Sequence, residues 1–199
     1  VELLQDSAFD VAGLVARKLG MRIARKQAEH WVLGTGTGQP EGITNPAADE
    51  VLATTSTVTF QDLLDVMATV NPAYVGPEAK WYMNNATLFH IRAIQDTTNR
   101  PLWLPQQESG MTTLPGGVLL GHGVVIDQDM PNHNTLSAKA IVFGDLRQGY
   151  IIRRVKDVTV VVDPFTRASE GQVVYTAWAR ADGAIQQKAA YSILANAAV

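Results

Sequence analysis

Trp31-Val32-Leu33-Gly34-Thr35-Gly36-Thr37-Gly38-Gln39-Pro40-Glu41-Gly42-Ile43 sets four glycines and a proline within nine residues, directly behind a long helical pattern. Such a density forbids regular structure and favours tight turns. The run invites a phosphate-loop reading, but a phosphate loop follows a strand, carries Lys-Ser/Thr and opens a helix. Here the run follows a helix, no lysine follows it, and Pro40 removes a backbone donor. It reads as a structural turn.

Upstream, Phe9, Ala12, Ala16, Leu19 and Ile23 recur at three- and four-residue steps, which predicts one amphipathic helix from about residue 6 or 7 to about 29. Asp6 and Ser7 are its candidate N-caps. Arg17, Lys18, Arg22, Arg25 and Lys26 crowd its C-terminal half, where they suit the negative end of the helix dipole. Gly13 and Gly20 are unfavourable inside a helix and are read as marks of a closely packed neighbour. The chain opens on Val1 and not on Met, and is read as a processed or excised piece of a longer protein.

Downstream, residues 51–59 suit a short strand, and Thr59 caps a helix carrying Phe60, Leu63, Leu64, Met67 and Val70 that Asn71-Pro72 ends. Lys80-Trp81-Tyr82-Met83 reads as a buried strand, with Asn84 or Asn85 capping a helix through Leu88, Ile91 and Ile94. The run 118–126 reads as one strand bent at its glycines, and 140–145 as another. From Tyr150 the texture turns to long β: Val158, Val160 and Val162 share a face, and 173–180 forms the next strand. Asp182-Gly183 predicts a type I′ hairpin that returns as a strand over 189–195. The fold class is α+β.

Composition narrows the function. The 199 residues are 46% hydrophobic, enough for a sizeable core in one large domain or two small ones. A formal net charge of −3 excludes a strongly basic nucleic-acid binder. The absence of cysteine excludes disulfides, thiolate metal sites and cysteine nucleophiles. No apolar run approaches the roughly 18 residues that cross a bilayer. His30, His90, His122 and His133 form no helical His-x-x-x-His pair, and no Gly-x-Ser-x-Gly elbow exists. Asp127 and Asp129 read as a solvated turn more readily than as a cation site. No catalytic residue, cofactor or metal is expected.

The order of the motifs is more informative than any one of them. The opening stretch resembles the turn that follows the spine helix in tailed-phage major capsid proteins of the HK97 type. The likeness continues through Trp81-Tyr82-Met83-Asn84, Arg100-Pro101-Leu102-Trp103, Leu120-Gly121-His122-Gly123-Val124-Val125-Ile126-Asp127-Gln128-Asp129-Met130-Pro131, Ile141-Val142-Phe143-Gly144-Asp145-Leu146-Arg147-Gln148-Gly149-Tyr150 and Arg180-Ala181-Asp182-Gly183-Ala184-Ile185. His122-Gly123 departs from the small residue and proline more usual in that family.

The resemblance implies an HK97-like fold with a long spine helix, a peripheral antiparallel β region and a mixed axial domain. The peripheral domain is expected over 1–59 and 148–199, and the axial domain over 60–147. It implies a structural subunit, not an enzyme, that self-assembles into pentamers and hexamers enclosing double-stranded DNA in an icosahedral phage or prophage capsid. Portal, scaffold and maturation protease are the implied partners. Neither sequence-specific nucleic-acid binding nor membrane insertion is implied, and the location is the virion, with assembly in the bacterial cytoplasm. Candidate intersubunit or fold-defining positions are Arg17, Arg22, Arg25, Gly36, Gly38, Pro40, Trp103, Arg153, Arg154, Trp178, Asp182 and Gly183.

Family members clasp neighbours with an N-terminal arm and an extended loop before the spine helix, for which this sequence shows no counterpart. Some crosslink a lysine of that loop to an asparagine near a glutamate. Residues 172–180 contain neither Asn nor Glu, so no crosslinking is expected. The rival readings are an encapsulin-type compartment shell, and a small-molecule-binding or hydrolytic α+β enzyme using His122, Asp127 and Asp129 around the glycine-rich run.

Overall fold

The computed structural model describes residues 10–45, 49–53, 57–95, 99 and 117–197. Helix α1 spans Val11–Leu33 and is capped by Asp10, whose carboxylate accepts from Gly13 N–H at 2.9 Å. Asp6 and Ser7 lie outside the described residues. The helix runs one turn past the expected end, because nothing in Trp31-Val32-Leu33 breaks it and Gly34 closes it by donating to the His30 carbonyl at 2.9 Å. A Cβ at Gly13 would meet the capping Asp10 carboxylate, and one at Gly20 would meet open space. Among the described residues neither glycine has a neighbouring element packed against it, contrary to expectation.

Strand β1 spans Asp49–Leu52. Helix α2, Phe60–Thr69, starts in a full capping box: Thr59 Oγ1 accepts from Asp62 N–H, and the Asp62 carboxylate accepts from Thr59 N–H at 2.7 Å. Asn71 then caps a single 3₁₀ turn, Pro72–Tyr74. Strand β2, Lys80–Met83, leads through the cap Asn84 into α3, Asn85–Arg92, which stops short of Ile94. The stretch from Arg100 to Trp103 falls outside the described residues.

The run 118–126 is a hairpin and not one bent strand. Strands β3, Val118–Leu119, and β4, His122–Ile126, pair antiparallel across Leu120 and Gly121, both at positive φ (50° and 83°). The turn is hidden in sequence because Leu120 is a poor residue for that conformation. Strand β5, Lys139–Gly144, ends at Asp145, which caps the four-residue helix α4, Leu146–Gly149. Strands β6, Tyr150–Asp163, and β7, Val174–Ile185, follow, and β8, Tyr191–Ala195, comes last.

The strands form two sheets. Six of them stand in the order β1-β8-β5-β2-β4-β3, while β6 and β7 pair with each other as a separate ribbon. The sheet is mixed: β1–β8 and β2–β4 are parallel, and β5 is antiparallel to both its neighbours. The side-chain period of two sorts its faces. Ile141 and Phe143 join Trp81, Met83, Leu63 and Leu88 in the larger core under α2 and α3, whereas Val142 joins Tyr191, Ile193, Met130 and Val32 on the side of α1.

Two expectations fail in the C-terminal region. Asp182-Gly183 lies inside β7, opposite Arg153 and Ile152, and makes no turn. Strand β8 leaves the ribbon altogether and pairs with β5 and β1. The glycine serves a close approach instead: a Cβ at Gly183 would lie 2.1 Å from the Tyr150 hydroxyl oxygen. The six-stranded sheet thus unites β1 and β8, from the segments expected to be peripheral, with β2–β5 from the segment expected to be axial.

Candidate assembly surface

The loop behind α1 takes over the free carbonyls of its last turn. Ile43 N–H donates to Trp31 O at 2.8 Å, while Thr44 reaches Val32 O through its N–H at 3.1 Å and its hydroxyl at 2.6 Å. Gly42 N–H donates to Gly34 O, and Gly36 N–H to Pro40 O, so these two amides serve the chain itself. Gly34 and Gly42 are needed for proximity, since a Cβ at either would fall within 2.5 Å of backbone atoms. Gly36 and Gly38 are needed for conformation, at φ 77° and 70°.

This loop is bolted to the ribbon through Glu41. Its N–H donates to Gly183 O at 2.9 Å, its carbonyl accepts the Tyr150 hydroxyl at 2.6 Å, and its carboxylate accepts from Ile185 N–H at 3.4 Å. Burial, the Glu41 carboxylate and Asp182 push the Tyr150 phenol up to about 12. Arg154 stacks over the Trp31 ring at 5.2 Å. Glu41 and Tyr150 both stand in the quoted motifs, but their contact is invisible there, because a backbone carbonyl paired with a distant phenol leaves no local signal.

From this anchor the ribbon extends with little cover. Ile151 and Ile152 are adjacent and both exposed, so apolar side chains emerge on both faces. Val155 (62% exposed), Val158, Val161, Val162 and Trp178 (53%) continue the exposure. At the tip Phe165 is 83% exposed, held on a turn in which Asp163 accepts from Phe165 N–H at 2.8 Å and from Thr166. Each such side chain gains roughly 1.5–3 kcal/mol on full burial. A lone two-stranded ribbon is marginal in water, so this one requires cover. Helix α1 is likewise only partly covered: Val32 is its one buried residue.

The candidate positions therefore separate. Gly36, Gly38, Pro40, Arg154 and Gly183 gather around the loop–ribbon anchor. Arg17, Arg22 and Arg25 lie exposed on α1, and Arg153, Trp178 and Asp182 on the ribbon. Trp103 lies outside the described residues. The enzyme reading loses its geometry: His122 and Asp127 are five residues apart along an extended segment, roughly 16 Å. The His122 ring bonds Ala79 O at 3.2 Å and meets the Phe143 ring edge-on. Asp127 accepts from Asp129 N–H, and the Asp129 carboxyl is raised by burial and by Asp127. Among the described residues no group of three or more His, Cys, Asp or Glu side chains could hold a metal.

The sequence profile of the Phage capsid family matches residues 1–195. The chain belongs to the phage capsid family. This capsid protein is similar to a solved GTA structure, "Capsid of empty GTA particle computed with C5 symmetry", at 27% identity and a TM-score of 0.85, over 99% of this chain and 70% of that one. It shares its fold with the structure from Mycobacterium phage Cain (12% identity, TM-score 0.67, 99% and 69% covered). It shares it too with the holo-SrpI encapsulin complex from Synechococcus elongatus PCC 7942 (14%, 0.68, 96% and 68%). None of the curated proteins matches. The capsid protein is a structural subunit with an HK97-like fold, and the virion capsid is its place.

Proposed function

We propose that copies of this chain close into an icosahedral shell of pentamers and hexamers around double-stranded DNA, acting structurally and without catalysis. The observation that carries this is the ribbon, which beyond its anchor at α1 and the loop behind it exposes apolar side chains on both faces. An isologous pair could cover one face; covering both takes neighbours on two sides, as in a closed array. The 27%-identical GTA capsid, computed with C5 symmetry, supports the ring. In this reading α1 and the ribbon form the peripheral unit. The axial unit is 60–147 completed by β1 and β8. Exposed Arg153, Trp178 and Asp182 on the ribbon face neighbouring subunits, and Gly36, Gly38, Pro40 and Gly183 define the fold. Portal, scaffold and maturation protease are the further partners, and the bacterial cytoplasm is the site of assembly, on family resemblance alone.

Expression of the complete reading frame and electron microscopy of the purified product test this. Closed shells are expected, and Ile151→Asp with Ile152→Asp, which charges both ribbon faces, should leave small soluble species. Monodisperse monomers of the unaltered protein at every salt and pH tried would overturn the reading.

A further inference from the structure

The exposed face of α1 carries a second message, independent of the ribbon. Arg17, Lys18, Arg22, Arg25 and Lys26 are all exposed, and no acidic residue lies between Val11 and Ala28. In a chain of net charge −3 this one stretch holds +5, so the remainder carries −8. At 3.6 residues per turn, Lys18, Arg22 and Arg25 fall within about 60° of one another, with Arg17 and Lys26 flanking them. The five span about 13 Å of helix axis. Only Lys26 has an ion-pair partner among the described residues, Glu29 at 2.6 Å.

Five clustered cations repel one another unless an anionic surface faces them. A second copy of this chain offers a poor one. Asp10, Asp62, Asp145 and Asp163 accept from their own backbone at caps and turns. Glu29, Glu50 and Glu170 pair with cations of the chain, Asp127 and Asp129 sit beside Glu29 and Lys26 at one end of the stripe, and the other described acids are scattered. The single-signed stripe matches a polymer of regularly spaced phosphates, and besides its cations the stretch carries only Gln27 as a side chain able to read a base edge. We propose that the exposed face of α1 binds the phosphodiester backbone of double-stranded DNA without regard to its sequence. The overall acidity of the chain is compatible with this, because phosphate contacts are local and screened beyond about 10 Å.

The test is fluorescence anisotropy of a labelled mixed-sequence duplex of about 25 base pairs against the purified protein, at several salt concentrations. Four phosphate contacts, from Arg17, Lys18, Arg22 and Arg25, give a log–log salt slope near −3.6, or a roughly 50-fold loss of affinity between 50 and 150 mM. Arg22→Gln with Arg25→Gln should reduce that slope by about 1.8. Arg167→Gln, at the ribbon tip and paired with Glu170, should leave it unchanged. Absence of duplex binding at low salt, or a slope indifferent to the helix variants, would overturn the proposal. So would helix variants that abolish assembly while leaving the duplex affinity intact, which would make this face a contact between subunits.

Discussion

Tyr150 donates its hydroxyl proton to the Glu41 carbonyl across 2.6 Å, joining the first residue of the ribbon to the loop behind α1 over 109 positions of sequence. The bond fixes the direction in which the ribbon leaves the body. Removing it with Tyr150→Phe leaves the part-buried Glu41 carbonyl without that donor and should cost about 1–2 kcal/mol in urea unfolding.

The same phenol gives an alkaline signature. Its folded value of about 12 lies above the ordinary 10, so the unfolded chain loses this proton first as the pH rises. The stabilisation is complete below pH 10 and is lost as the pH climbs towards 12. Unfolding midpoints followed from pH 9 to 12 should fall more steeply for the natural protein than for Tyr150→Phe; parallel curves would refute the assignment.

Gly183→Ala tests whether this glycine serves packing or a turn. The new methyl would meet the Tyr150 ring and hydroxyl, at a cost of about 1–3 kcal/mol. Combining it with Tyr150→Phe removes the oxygen at 2.1 Å, so the pair should be less destabilising than the sum of the singles. Gly38→Ala, with open space around it but φ at 70°, should cost about 1–2 kcal/mol through the backbone alone, and no Tyr150 variant should relieve it.

Lys156 stands directly opposite Arg180 in the ribbon, a like-charged pair with both side chains exposed. Lys156→Glu converts repulsion to attraction and should raise stability by about 0.2–1 kcal/mol in thermal unfolding, shrinking as salt is added. An unchanged midpoint at low salt would show that the two charges do not face each other.

Phe165→Asp should separate assembly from folding. A side chain 83% exposed at a turn contributes little within its own molecule, so the unfolding free energy should move by less than about 0.5 kcal/mol. Sedimentation of assembling protein should nevertheless show a loss of large species. A large drop in monomer stability would mean that Phe165 packs within its own chain.

Much of the fold is legible in the sequence because it is local. Thr59 and Asn84 announce their helices by cap chemistry, and Trp81 and Met83 alternate as a buried strand must. The glycine run declares a turn, and the order of motifs declares the family. What escapes is non-local. Asp182-Gly183 has the composition of a hairpin turn, but tertiary packing on Tyr150 and Trp31 claims the missing Cβ. Strand β8 is apolar apart from Ser192 and would suit either sheet, and its five buried residues are explained only by a place between β1 and β5. On the assembly surface the arginines of α1 are visible in sequence, but the bareness of the ribbon is not, since a row of valines reads as core.

The place of β8 also sets an order of events during synthesis. Its five residues, among the last described, fill the gap between β1 and β5, so until the ribosome has made them β1 lacks its one strand partner among the described residues and β5 is open along one edge. At roughly 5–20 residues per second, the stretch between the completion of β5 and that of β8 takes several seconds. During that interval the nascent chain presents hydrogen-bonding edges and an uncovered apolar face to every other chain on the same message. A protein made in many copies therefore depends on late residues to close each molecule, and chains stalled before residue 191 would be the seeds of misassembly.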